Sequence, residues 1–592
     1  MTREKHHRLL VVLMFAAAIG MCLYACIDKT YDLDKDIDMT VGLGSDKLTV
    51  KIGNTEKIFL RNMLDVDESD IIDTLTTAGK SLYYLVREGS AEQVVTINPI
   101  PTFSVADVAV SPETPLLLTP DRNWSLPKGD LTPDEVTAQD TITATIKDIP
   151  QEVLRLYRAN LQPKQLRLSL MVEQPAYAKV GIHKIKGLTI TFPAFIHSPA
   201  LTDGHLVIPD IEDNADEVIT LVPIPIDYMQ FGTASEFGQL VSQGTLTEQE
   251  SIHMDGKFTL QATEAFTLMQ GDEANVVLKV ELGNFDISTI EGLVDPDISP
   301  TVDPIEVAGD VPDFMKDPDV VLEMNNPTIK LTFNGTDRPI PLLFRGEMYG
   351  ETGDQQGEHV ALPEEGFIKI APTGEQTFYC YQGDAPFDPA GIDAPETHWF
   401  FVHNLNSVIR KLPDYIEMDL SGSNIQSDKS MLHTLRPGDS FDVLVNYQMF
   451  IPFRFNKGLT IVYNDSIDDL HKDLKKYQAD GLTLTAKAVS TIPLELKLSL
   501  TPRDEAGKLL TDEIEEATGT ITAATGTTDT ETETPLTLVM KIKNPAALSR
   551  LDRFDIRIGC ESTDVGELYS SQYLFLKEVK LQLNGQVIAD FN

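Results

Sequence analysis

The chain has 592 residues, 42% of them hydrophobic, with 48 basic against 91 acidic side chains and a formal charge of −43. That apolar content is ample for packed cores and argues against global disorder, and the length suits three or four domains. A surface this acidic repels phosphates and has no basic stripe to neutralise them, so nucleic-acid binding is excluded.

Arg3, Lys5 and Arg8 form a positive start, and an uncharged apolar run follows from Leu9 to Gly20. The run is short of the about 20 residues that span a bilayer. It meets Leu23-Tyr24-Ala25-Cys26, a spacing that resembles the lipobox of bacterial lipoproteins. There a diacylglycerol is attached to the cysteine thiol and the chain is cut before it. Residues 1–25 therefore read as a lipoprotein signal peptide, the alternative being a simple signal peptide or an N-terminal membrane anchor. Removing 25 residues leaves 567, and because they carry three bases and one acid the charge moves to near −45. The expected anchor is acyl lipid (diacylglycerol, palmitate) on Cys26, each buried CH₂ adding about 0.8 kcal/mol. No other cofactor is expected.

An acidic tether, 26–40, comes next, with Asp28, Asp32, Asp34, Asp36 and Asp38. Acidic residues so soon after a lipidated cysteine resemble the surface-export signal of Bacteroidota lipoproteins. A solvated spacer has the same composition, and the two readings are compatible. The opening as a whole, from Cys26 through Val41-Gly42-Leu43-Gly44 and Ile58 to Asp65-Val66-Asp67, resembles uncharacterised outer-membrane or surface lipoproteins of those bacteria. The resemblance implies a location, the outer membrane with the cell surface favoured over the periplasmic face. It implies no activity.

Beyond the tether, alternation of period two dominates, the strand signal. It runs through Ile142-Ala144-Ile146, Leu166-Leu168-Leu170-Val172, Leu188-Ile190-Phe192 and Val276-Leu278-Val280-Leu282. It continues through Ile329-Leu331-Phe333, Leu482-Leu484-Ala486, Leu494 to Leu500, Leu536 to Ile542, Phe554-Ile556-Ile558 and Val579-Leu581-Leu583. One apolar face per strand predicts antiparallel sheets packed on one side. The expected fold is mainly β: sandwich-like antiparallel domains in series with a few short helices. Turn chemistry near Asp203-Gly204 and the polar, Gly-rich stretch 350–365 place domains at 41–205, 206–345 and 346–592, the last divisible in two. The clearest predicted helix is Ser466–Ala479, with Ile467, Leu470, Leu474 and Tyr477 on one face and Gly481 beyond its end. Lys186-Gly187-Leu188-Thr189-Ile190 recurs as Lys457-Gly458-Leu459-Thr460-Ile461, and an apolar-Pro-polar theme recurs at Pro150, Pro312 and Pro413. Both hint at duplication.

Chemistry-bearing patterns are sparse. The sequence has no Gly-x-Ser-x-Gly, no His-Glu-x-x-His and no phosphate loop. His398 and His403 bracket Trp399-Phe400-Phe401 without an apparent third ligand. Asp32-x-Asp34-x-Asp36 opens like a calcium loop, but Ile37 stands where glycine must turn the chain and Leu43 where a bidentate Glu is needed. Asp65 to Asp70 is similarly incomplete. Cys380 and Cys560 are expected as separate buried thiols, with a disulfide as the alternative. Aromatic platforms for sugars could be Trp124, Trp399, Tyr83, Tyr84, Tyr379 and Tyr381, though sheet packing explains them as well. These patterns lead to a non-catalytic lipid-anchored protein that touches the membrane through its lipid and has an envelope protein or a glycan as partner. A glycan-binding accessory lipoprotein and a carrier of an apolar ligand, with the 466–479 helix and the 492–500 strand (Ile492-Pro493-Leu494 onward) covering its groove, are the alternatives.

Overall fold

The computed structural model describes residues 41–589 except 44–46, 64–70, 97–102, 106–107, 111–122, 131–133, 174–179, 271–274, 308–310, 312–314, 335–339, 421–423, 471–476, 526–529, 585–586 and the single positions 217, 282, 299, 316, 437, 439 and 469. The architecture is mainly β, in antiparallel sheets, with short helical turns. The alternating positions that predict strands are the ones that point inward. Ile142, Ala144, Ile146, Leu166, Leu168 and Leu170 are fully buried, as are Leu331 and Phe333. Each such Ile, Leu or Phe side chain contributes about 1.5–3 kcal/mol by leaving water.

Strand pairing nests the chain. The first strands pair with the last: Lys47–Gly53 and Ile58–Phe59 both lie against Tyr573–Asn584. That strand continues through Gly481–Ser490 to Thr532–Lys541, and a second sheet is built from Thr460–Ile467, Leu551–Glu561, Glu495–Asp504 and Ala517–Ile521. The two sheets close on each other at Gly519, where an added Cβ would lie 2.5 Å from the Leu538 side chain. Residues 41–59 and 454–589 thus form an outer unit.

One step inward, the 84–96 part of strand Lys80–Thr96 pairs with the whole of Ser440–Pro452, and Thr328–Asn334, Gln376–Tyr381 and Trp399–Phe401 extend that sheet. This middle unit takes 72–96 and 301–452. Between its halves, 103–294 form an inner unit, with Asp134–Ile146, Val180–Thr191 and Leu246–Ala262 in one sheet and Val153–Glu173 at the centre of the other.

The boundaries expected at 205 and 345 therefore fall inside sheets. Asp203 and Gly204 are a left-handed turn joining two strands of the inner unit, and Gly346–Thr352 pairs with both Val360–Leu362 and Tyr415–Asp419. The polar stretch 350–365 is short strands joined by turns, and those turns carry the same residue types as linkers. The predicted helix 466–479 is corrected too. Ser466 and Ile467 end a strand, Tyr477 and Gln478 form another, and 471–476 lie outside the described residues. Backbone pairing to Phe554 and Asp555 captures the segment's start. Tertiary ladders override a helical period this short.

The repeated Lys-Gly-Leu-Thr-Ile puts its glycine at positive φ both times, +62° at Gly187 and +101° at Gly458. The first is a bulge within a strand and the second a turn before one, so one local device serves two geometries.

Candidate functional site

The seven-stranded sheet of the middle unit has one face in the main core and an outer face of mixed chemistry. Strand alternation makes the division. Tyr83 and Leu85 join the main core, whereas Leu82 and Tyr84 join a small separate cluster with Phe387 and Phe450. Along the neighbouring strands the outer set is Thr328 and Lys330, Tyr379 and Tyr381, then Trp399 and Phe401, matched in register across the ladder.

The segment between Tyr381 and Trp399 crosses this face as a strap. Phe387 plugs it into the small cluster against Tyr84, ring centroids 5.6 Å apart, and the Phe387 amide donates to Thr328 Oγ1 at 2.9 Å. Next to the plug, the Asp388 side chain is 1% exposed and accepts from Lys330 Nζ at 2.9 Å, with Asp393 Oδ2 3.5 Å from the same ammonium. The Tyr379 hydroxyl lies 2.9 Å from Asp388 and 2.7 Å from Asp393. Having one proton, it donates to one carboxylate at a time. The Ala390 amide takes the second Asp388 oxygen.

The electrostatics follow from this packing. Burial works against the Lys330 charge, but Asp388 and Asp393 outweigh it and hold the ammonium above its ordinary range. Burial and the two carboxylates push the Tyr379 phenol well above its ordinary value. Burial and Asp73, which accepts from Tyr84 at 2.9 Å, push Tyr84 up to about 12. Burial alone raises both Cys380 and Cys560 to about 12, and both are free thiols. Lys330 is thus a fixed cation, Tyr379 a donor and Asp388 a saturated acceptor. This constellation clamps the strap, and neither Lys330 nor Tyr379 is poised to exchange a proton near neutrality.

Beyond the clamp the face opens onto an aromatic strip. Tyr381 meets Trp399 at 6.5 Å and 82°, and Phe401 at 5.8 Å and 79°. Phe401 is 44% exposed. The rings stand edge to face rather than coplanar, and Trp399 Nε1 donates to the strap at Ala394 O.

His398 and His403 are each engaged. His398 Nδ1 is 3.0 Å from Thr377 O and its ring lies on Phe378. His403 meets Glu364 Oε2 at 2.7 Å, holding that carboxyl below its ordinary range. Among the described residues, no group of three or more His, Cys, Asp or Glu side chains is arranged to hold a metal ion. Cys26, Asp28, Asp32, Asp34, Asp36 and Asp38 lie outside the described residues, as do Asp65 to Asp70. Of the other candidate platforms, Tyr83 is a core residue at 1% exposure, and Trp124 sits in a separate two-stranded ladder with Phe266–Leu268.

Lys330, Asp388 and Asp393 escape sequence reading. Lys330 occupies an ordinary polar position of an alternating strand, and its partners lie 58 and more residues further on in a loop of Asp, Ala and Pro. Only a lysine between two strand-forming hydrophobics, as in Ile329-Lys330-Leu331, marks the position.

No protein-family model matches this chain, and no curated protein does. Among solved structures, a "putative secreted protein" from Parabacteroides distasonis overlays on 50% of this chain and 90% of its own at 13% identity, with a TM-score of 0.34. The infectious bursal disease virus Gx strain overlays on 90% of this chain and 89% of its own at 7% identity, TM-score 0.13. An archaeal virus protein with a triple jelly roll overlays on 83% and 91% at 9% identity, TM-score 0.10. Overlays this loose carry no argument about what the chain does. No helix among the described residues is long and apolar enough to cross a membrane.

Proposed function

We propose that the chain is a non-catalytic envelope lipoprotein, held at the outer membrane by acyl lipid on Cys26, that carries nested β units away from the membrane for binding or structural work. The nested strand pairing is the observation that supports it. Because 47–59 pair with 573–584, a tether at 26–40 leads directly into the outer unit. The inner unit, 103–294, is reached only through the middle one. The anchored end and the presented end are thus opposite ends of one series. Cys26→Ser tests the anchor. The protein is expected to move from the membrane fraction to the soluble fraction, and its retention in membranes would refute the reading. Protease treatment of intact cells separates surface display, in which the chain is digested, from a periplasmic position, in which it survives.

A glycan partner has one observation in its favour, the strip of Tyr381, Trp399 and Phe401. Exposed Phe401 with half-buried Tyr381 and Trp399 offers a stacking surface to the CH face of a sugar, and a neutral ligand escapes repulsion by the acidic surface. The perpendicular ring planes suit one sugar ring at a time rather than an extended chain. Trp399→Ala is expected to abolish binding on a glycan array, and an array with no hits for the wild type would end this reading. The apolar-carrier alternative has lost its helix, Ser466–Ile467 and Tyr477–Gln478 being strand, and keeps only the strand from Glu495. One recess of about 440 Å³ is lined by Asp504, Glu505, Ala506, Ser549 and Arg550, a lining that does not suit a greasy cargo.

A further inference from the structure

The inner unit docks on the middle unit through a small joint. His433–Leu435 pairs with Ile287–Val294 over three positions, Ile290 with Leu435, Glu291 with Thr434 and Gly292 with His433. The Ser427 hydroxyl donates to Val294 O, and Lys429 pairs with Asp295 at 2.7 Å. On its other edge Ile287–Val294 pairs with Val153–Glu173, and there a Cβ on Gly292 would sit 2.2 Å from Arg155 O.

At the centre is His433, 2% exposed. Its Nε2 lies 2.8 Å from the carbonyl oxygen of Asp428. A carbonyl only accepts, so Nε2 carries the proton and Nδ1 is a bare acceptor. Nδ1 is buried without a hydrogen-bond partner among the described residues. A second proton on the ring would have to sit there, with no acceptor to meet it and no water to solvate it.

The charged groups on the surrounding elements are occupied elsewhere. The Asp428 carboxylate accepts from Ser430 N and Oγ and lies 3.5 Å from Lys369 Nζ. Lys429 holds Asp295, and Glu291 pairs with Arg158 at 3.7 Å. The Arg155 guanidinium donates to Gly238 O, and Arg436 is engaged as well. Burial keeps the His433 ring below the ordinary histidine range, although Asp428 pulls the other way.

We infer that the His433 joint is an acid-sensitive latch: protonation of this buried ring breaks the 290–292/433–435 ladder and frees the inner unit from the middle unit. The sign follows from linkage. The unfolded or undocked ring takes its proton near pH 6.5, whereas the docked ring resists it, so docking is strongest above that pH and weakens as pH falls. The inference goes beyond the anchoring proposal and stands whether or not Cys26 is lipidated.

Hydrogen exchange on the full chain, corrected for the intrinsic pH dependence of exchange, tests it between about pH 7.5 and about pH 5. Amides of 287–294 and 433–435 are expected to lose protection by about tenfold or more, while the 80–96/440–452 ladder keeps its own. His433→Gln retains a donor within reach of Asp428 O and cannot titrate, so its joint is expected to show no such loss. Unchanged protection in the wild type, or an equal loss in His433→Gln, would overturn the latch. Should the Gln variant fail to fold, ring nitrogen NMR of the wild type decides alone. A histidine in the Nε2–H form titrating below about 6.5 supports the latch, and one titrating at or above that value refutes it.

Discussion

The two joints of the nested chain are built differently. Where the middle unit meets the outer one, backbone bonds run in both directions: Tyr83 N to Leu568 O, Leu568 N to Phe453 O, Thr460 N to Val321 O and Asn456 N to Glu323 O. Charges reinforce them. Arg557 reaches Asp317 at 3.0 Å and Asp319 at 2.6 Å, and Asn464 donates to the same Asp317 carboxylate. Where the middle unit meets the inner one, a three-residue ladder, the Ser427–Val294 hydrogen bond and one ion pair surround a buried neutral histidine. A joint of dispersed hydrogen bonds and half-exposed ion pairs loses little when any single group changes state. A joint gathered round one buried titratable group yields to a single proton. The first therefore suits a fixed pedestal and the second a movable head.

Three perturbations sharpen the contrast. The largest effect is expected from Lys330→Ala in the unit that both joints share. It leaves Asp388, 1% exposed, buried without its cation, a change that costs about 3–5 kcal/mol, and denaturant melts should show both joints weakened together. Next is Gly292→Ala, which forces a Cβ against the backbone at Arg155 O. Overpacking of this kind costs about 1–3 kcal/mol, and hydrogen exchange should show it at 287–294, at the adjoining 153–161 stretch and at 433–435. If the 80–96 strand loses protection equally, the joints are not independent. The smallest is Arg557→Ala. Asp317 keeps the Asp319 amide and the Asn464 side chain, and Arg557 is 42% exposed, so a loss of about 1 kcal/mol or less is expected. That loss should shrink further as salt rises, which denaturant melts at low and high ionic strength would read.

The candidate face was half legible in the sequence. Tyr379, Tyr381 and Trp399 stand out as aromatics, and period-two alternation puts Tyr379 and Tyr381 on one side. That they share this face with Lys330 depends on the pairing of 328–333 with 376–381, which no local signal specifies. His433 shows the same limit. In His433-Thr434-Leu435 it reads as an ordinary strand residue, and what makes it special is the glycine opposite and the carbonyl at Asp428. The helix expected at 466–479 failed for a related reason. Its apolar positions satisfy a helical period, but strand Leu551–Glu561 offers the start of the segment a complete ladder instead.

What the sequence by itself determined is the strand content and which side of each strand is buried. Those depend on side-chain alternation, a property of neighbouring residues. Its opening also carries the case for lipidation at Cys26, through residue order alone. The tertiary structure decided which strands meet, and so the nesting of three units. Pairing 80–96 with 440–452 closes a loop of several hundred residues, and the entropy of closure grows only with the logarithm of loop length. A distant partner with the better-fitting apolar face therefore wins over a nearby one. The sequence records each face but not the contest between them.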